Sequence, residues 1–146
     1  TLFRMIHQQK LPGVGSAGGN FCDVREVARA HITAFHRSGN SEKYLLGGEF
    51  AKILDVARIA GEILDKPVPG KPMPSWLLKT VAHWMQFYSR ISGKEPEMTP
   101  EVAVMISHDI RCDSSKAERK LGYRALPLRQ MITDTIDWMR SRDLLK

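Results

Sequence analysis

The chain has 146 residues, 42% hydrophobic and 26% charged, the make-up of an ordinary globular domain with room for one core. Its net charge of +6 is spread among 16 acidic residues, with no basic run beyond pairs, no zinc-finger spacing and no aromatics interleaved with a basic stripe, which argues against a nucleic-acid face. Cys22 and Cys112 stand far apart without Cys-x-x-Cys or Cys/His spacing, so a metal site is not expected and two free thiols in a cytoplasmic protein are.

Residues 1–10 can form a helix with Leu2, Met5 and Ile6 on one face. Pro12 and the glycines from Gly13 to Gly19 make a connector. A phosphate-binding loop would need a strand before the glycines and a helix after them, and here a strand follows instead. That strand is the β-prone run Asn20 to Val24. It turns into a helix over 24–37 whose apolar stripe is Val24, Val27, Ala28, His31, Ile32 and Phe35. Asp23 stands where a carboxylate can take the first backbone N–H groups of that helix. His31, on the stripe, reads as a packed helix residue rather than a base.

Lys43 to Leu46 reads as a short buried strand ended by Gly47-Gly48, and residues 51–64 as an amphipathic helix. Lys66 to Pro74 holds four prolines and is extended, an edge strand or linker. A helix from Ser75 to Ile91, led by Trp76, is apolar nearly all round, but Lys79, His83, Gln86 and Arg90 interrupt it, so it does not span a membrane. It can be buried on several sides, wall an apolar substrate pocket, or lie on a membrane surface. Thr99-Pro100-Glu101 starts another helix ending near His108. Ile110 to Cys112 can be a strand. Asp113 or Ser114 caps a helix that stops at Gly122, and Pro127 opens a last helix with Leu128, Met131, Ile132, Thr135, Ile136 and Met139 on one face.

Two blocks carry a family resemblance. Phe21, Val24, Glu26, Val27 and Ala28 match the aromatic-x-x-Val-x-Asp-Val/Leu-Ala motif of the extended short-chain dehydrogenase/reductase family, with Glu26 in place of the usual Asp. Asp113-Ser114-Ser115-Lys116-Ala117, followed by Lys120-Leu121-Gly122-Tyr123, matches a second motif downstream. The resemblance implies an α/β fold: the C-terminal part of an NAD(P)-binding Rossmann-type reductase. Residues 1–146 would form one mostly helical substrate lobe with a few short strands, completing a domain supplied upstream. The absence of an initial Met is compatible with an excised piece.

The resembled family's proton relay is a Tyr-x-x-x-Lys pair, in which lysine lowers the tyrosine pKa. The residues four after Tyr44, Tyr88 and Tyr123 are Gly48, Ser92 and Pro127, and no Gly-x-x-Gly-x-x-Gly occurs. No catalytic or cofactor-binding residue is therefore assigned, and the chain alone is expected to be inactive. NAD or NADP would be bound mainly by the upstream part.

In the resembled nucleotide-sugar epimerases an arginine sits two residues before the first motif's aromatic, where this chain has Gly19. A second arginine falls within Val102 to Ile106, here entirely apolar. Without those cations a pyrophosphate is bound poorly. The resemblance thus leans toward dihydroflavonol reductases, whose substrates are less charged and which carry a side-chain amide where Asn20 stands. Asn20 could equally close the turn into the strand. The substrate-binding candidates are Asn20, Phe21 beside it, and Trp76. The expected function is the substrate-binding portion of an oxidoreductase acting on a ketone or secondary alcohol. The alternatives are a nucleotide-sugar epimerase or dehydratase of the same superfamily, and a non-catalytic helical module that binds protein or nucleic acid. Apolar faces on the helix at 51–64 and the strand at 43–46 are expected to need the upstream half or self-association into a homo-oligomer.

Overall fold

The computed structural model describes residues 2–11, 13–37, 39, 41–74, 76, 77, 80 and 108–146. Among them are five helices and one two-stranded sheet: α1 (Leu2–His7), β1 (Gly18–Phe21), α2 (Val24–Arg37), β2 (Glu49–Lys52), α3 (Ile53–Leu64), α4 (Ser115–Leu121) and α5 (Leu128–Ser141). The expected helices at 75–91 and 99–108 fall largely outside the described residues.

The main core is built on α3. Leu54, Ala57, Gly61 and Leu64 recur at helical steps, with Val56 and Ala60 beside them, and all six are buried. Ala57 and Ala60 have no exposure at all; short side chains there let α1 and α5 approach closely. Ile6 comes from α1, and Leu128, Met131, Ile132 and Ile136 come from the face expected for α5. Fully burying a side chain such as Ile136 is worth about 1.5–3 kcal/mol. A second, smaller core joins α2 to α4 through Ala30, Ala117, Leu121 and Tyr123. α4 stops at Gly122, in the left-handed region at φ 66°, where its N–H bonds to the Glu118 carbonyl at 3.1 Å.

The strands differ from expectation. β1 occupies Gly18–Phe21, earlier than the Asn20 to Val24 run, and pairs antiparallel with β2, Asn20 facing Phe50. β2 takes the first residues expected for the helix at 51–64, because Lys52 stays extended (φ −75°, ψ 145°) before α3 begins. Lys43 to Leu46 is not a strand. Tyr44 and Leu46 turn inward onto the small core while Leu45 points out, so the segment alternates without joining a ladder. The apolar faces also fall elsewhere than expected. α3 is covered by α1 and α5, whereas Val24, Ile32 and Phe35 of α2 are 77%, 63% and 86% exposed. His31 is likewise exposed rather than packed, its Nδ1 2.8 Å from the Val27 carbonyl.

Candidate functional site

The two motif blocks meet where α2 packs on α4, and the residues that lead into them, β1 and 109–112, run side by side. Residues 109–112 run along the edge of β1 opposite β2. The Ile110 N–H donates to the Gly18 carbonyl at 2.9 Å, and the Gly18 N–H donates to Asp109 Oδ1 at 2.8 Å. Two residues on, the Cys112 N–H donates not to a backbone carbonyl but to Asn20 Oδ1, at 2.8 Å. The register rises together on both segments, 110 beside 18 and 112 beside 20, so they run parallel. The expected strand at 110–112 does not form: one backbone bond joins it to β1, and the Asn20 side chain takes the next.

Asn20 joins three segments. While Oδ1 accepts from Cys112, Nδ2 donates to the Gly48 carbonyl at 2.7 Å. One amide hydrogen and one acceptor position of that side chain are left over. Gly48 passes so close beneath β1 that a Cβ there would lie 1.5 Å from the Phe21 carbonyl oxygen, so only glycine fits. Ser114, buried at 8% exposure, does not cap α4. Its hydroxyl accepts the Gly47 N–H at 2.7 Å and donates to the Gly47 carbonyl at 3.1 Å. Asp113 takes the capping role, accepting the Ser115 N–H at 2.9 Å, and this bond together with the Ser115 hydroxyl holds its carboxyl below the usual range.

Charge is locked in pairs around this crossing. Lys52 Nζ lies 2.6 and 2.8 Å from the two Asp109 oxygens, and chiefly through that contact the Asp109 carboxyl is held low. The Arg111 guanidinium lies 3.6 Å over the Phe50 ring. Beside the crossing opens a cleft of about 500 Å³ lined by Gly47, Gly48, Glu49, Cys112–Ser114, Glu118 and Ala125–Pro127. Its charged lining is acidic, Glu49, Asp113 and Glu118, and Glu49 already accepts the Leu128 N–H at 2.7 Å.

Phe21 is half-buried against the main core, directly beside Asn20. Trp76 is 68% exposed, and among the described residues no contact joins it to Asn20 or Phe21; its carbonyl accepts the Thr80 hydroxyl at 2.9 Å. Of the residues that tie the site, Asp109 has no sequence signal, Gly48 reads from sequence only as a strand end, and Ser114 reads as a motif residue and helix cap rather than as a tie to Gly47. Gly47-Gly48 was read as a strand end, though paired glycines also signal close backbone approach.

Both cysteines are free, and the described residues hold no metal-ligand cluster and no helix long and apolar enough to cross a membrane. The Gly13–Gly19 connector is not a dinucleotide-phosphate loop: among the described residues it runs into β1 and offers no helix N-terminus to a phosphate.

No family model matches the chain. A putative dihydroflavonol 4-reductase of Synechocystis is 26% identical over 99% of this chain and 43% of its own length. The crystal structure of gox2253 superposes with a TM-score of 0.75 at 30% identity, across 97% of this chain and 43% of that one. UDP-glucose 4-epimerase from Bifidobacterium longum, solved with NAD+ and UDP, shares the fold at a TM-score of 0.60 and 16% identity, over 95% of this chain and 38% of that one. The chain thus spans about two fifths of the length of these relatives. By motif, sequence and fold, it corresponds to the C-terminal part of the extended short-chain dehydrogenases/reductases, an NAD(P)-dependent family of Rossmann type.

Proposed function

We propose that this chain is the substrate-binding portion of an NAD(P)-dependent oxidoreductase that interconverts a ketone and a secondary alcohol, a cytoplasmic enzyme of the dihydroflavonol-reductase kind. The observation that carries the reading is the acidic lining of the cleft beside the crossing, where the neighbouring cations among the described residues are already engaged, Arg111 over the Phe50 ring and Lys52 by Asp109. Gly19 has no side chain, and nothing lies within 4 Å of where one would begin. The lysine at the crossing, Lys52, is neutralised by Asp109. The adjacent cleft is lined by carboxylates, which repel a pyrophosphate and tolerate a neutral polyhydroxylated or carbonyl ligand. The spare donor and acceptor of Asn20 fit such a ligand. Hydride chemistry and the proton relay come from a cofactor-binding portion outside this chain, and the chain alone turns over nothing.

The test joins the chain to the upstream portion of the Synechocystis relative and follows NAD(P)H oxidation against neutral ketones and nucleotide sugars. Ketone-dependent oxidation is expected, absent from the isolated chain. Asn20→Ala removes the bonds to Gly48 and Cys112 along with any bond to the ligand, and is expected to lower kcat/KM for the ketone by about tenfold or more at unchanged NAD(P)H affinity. Conversion of nucleotide sugars without ketone reduction would overturn the reading.

A further inference from the structure

Among the described residues, one backbone bond, from the Ile110 N–H to the Gly18 carbonyl, joins residues 109–112 to β1. Yet the Cys112 N–H at the end of that segment is what meets Asn20 Oδ1, at 2.8 Å. Two side chains of β2 supply the rest of the hold. Phe50 and Lys52, two residues apart, share one face of the strand. Both cross β1 at Gly18: a Cβ there would lie 2.6 Å from Phe50 Cζ and 3.1 Å from Lys52 Cδ, so glycine leaves the passage open. On the far side each engages one residue of the third segment. Lys52 pairs with the Asp109 carboxylate, which also accepts the Gly18 N–H, and the Phe50 ring carries the Arg111 guanidinium at 3.6 Å. Asp109 and Arg111 bracket Ile110, and Arg111 stands next to Cys112.

The terminal torsion of an asparagine is soft, so one bond does not fix which way its amide faces. Two bonds do so here: the Cys112 N–H can be met only by Oδ1, and the Gly48 carbonyl only by Nδ2. We infer that Asp109 and Arg111 are positioning residues for substrate recognition. By holding Cys112 against Asn20 they set the orientation in which the spare N–H and spare lone pair of that amide meet the ligand. The inference rests on the reductase reading above, in which Asn20 contacts the ketone. The Lys52–Asp109 pair is partly exposed on both sides and contributes little to stability, so the fold survives its loss.

Asp109→Asn and Arg111→Gln are made alone and together with Asn20→Ala, in this chain and in the chain joined to the upstream portion of the Synechocystis relative. In this chain, hydrogen exchange read by NMR is expected to be about tenfold faster or more at the Cys112 amide of each variant, with the amides of α3 unchanged as the control for folding. In the joined enzyme, KM for the ketone is expected to rise about fivefold at a kcat within about twofold of the parent. A lost contact to bound substrate raises KM, whereas a misfolded fraction lowers kcat and leaves KM alone. In the Asn20→Ala background the same substitutions are expected to leave KM unchanged, because their effect runs through that amide. Cys112 exchange that matches the parent in both variants overturns the inference. So does a rise in KM that persists in full without Asn20, which would put Asp109 and Arg111 on the ligand themselves. Faster Cys112 exchange with no ketone turnover in any joined form sinks the reductase reading and leaves the positioning of Asn20 standing.

Discussion

Asp23 accepts the Arg25 backbone N–H on Oδ1 at 2.7 Å and the Arg25 guanidinium on both oxygens. Arg25 reaches on to Asp134 of α5 at 2.5 Å, so one short network caps α2 and ties it to the main core. The Arg25 guanidinium, more than anything else, lowers the Asp23 pKa to about 2. A carboxylate whose folded pKa is depressed contributes stability that is fully present above its unfolded pKa, near 4, and lost as the pH falls through about 2. Asp23→Asn keeps an acceptor for the backbone but removes the charge. Above pH 5 it is expected to lower stability by about 1 kcal/mol, a modest figure because Arg25 is half exposed. That deficit should shrink toward zero between pH 4 and pH 2. Urea unfolding of both proteins at each pH measures it; a deficit independent of pH would show that the charge contributes nothing.

The helices were legible in the sequence and the strands were not, for a physical reason. α3 and α5 carry apolar residues at three- and four-residue steps over 12 and 14 residues, enough turns for the period to declare itself. β1 and β2 have four residues each, and β1 begins Gly18-Gly19, residues with no strand preference. That strand exists because β2 and residues 109–112 flank it, which local sequence cannot announce. Tyr44-Leu45-Leu46 had the better strand composition, yet its inward residues serve the small core instead. The junction of these elements is testable at Gly48. Gly48→Ala would place a Cβ against the Phe21 backbone, which cannot swing aside as a side-chain tip can. A loss of about 3 kcal/mol is expected, the upper range of overpacking. Gly19→Ala, in the strand itself with open space around it, is expected to be neutral or about 0.5 kcal/mol stabilising. Equal melting temperatures for the two variants would mean that the crossing yields more readily than its spacing implies.

At the scale of the whole molecule, the motifs mark residues that the fold brings together but not how they are joined. Asn20 was legible as an amide beside the first motif; its bonds to Gly48 and Cys112, 28 and 92 residues away, depend on tertiary folding. The converse holds for Gly19. Its meaning is a missing side chain, visible only by comparison with the arginine that the resembled nucleotide-sugar enzymes carry there. The structure adds that the position is open, so the missing group can be restored without disturbing the sheet. Gly19→Arg is therefore expected to leave stability within about 0.5 kcal/mol of the parent. It should also create a cation at the site edge that nothing neutralises, since Asp109 is already engaged by Lys52. A guanidinium paired with a phosphate in that setting is worth about 1.5–3 kcal/mol. UDP titrated into the variant should thus bind roughly ten to a hundred times more tightly than into the parent, and high salt should abolish the gain. Calorimetry or chemical-shift titration reads the difference directly. If parent and variant bind UDP equally, Gly19 does not face the ligand, and the charge argument that separates this chain from nucleotide-sugar enzymes loses its footing.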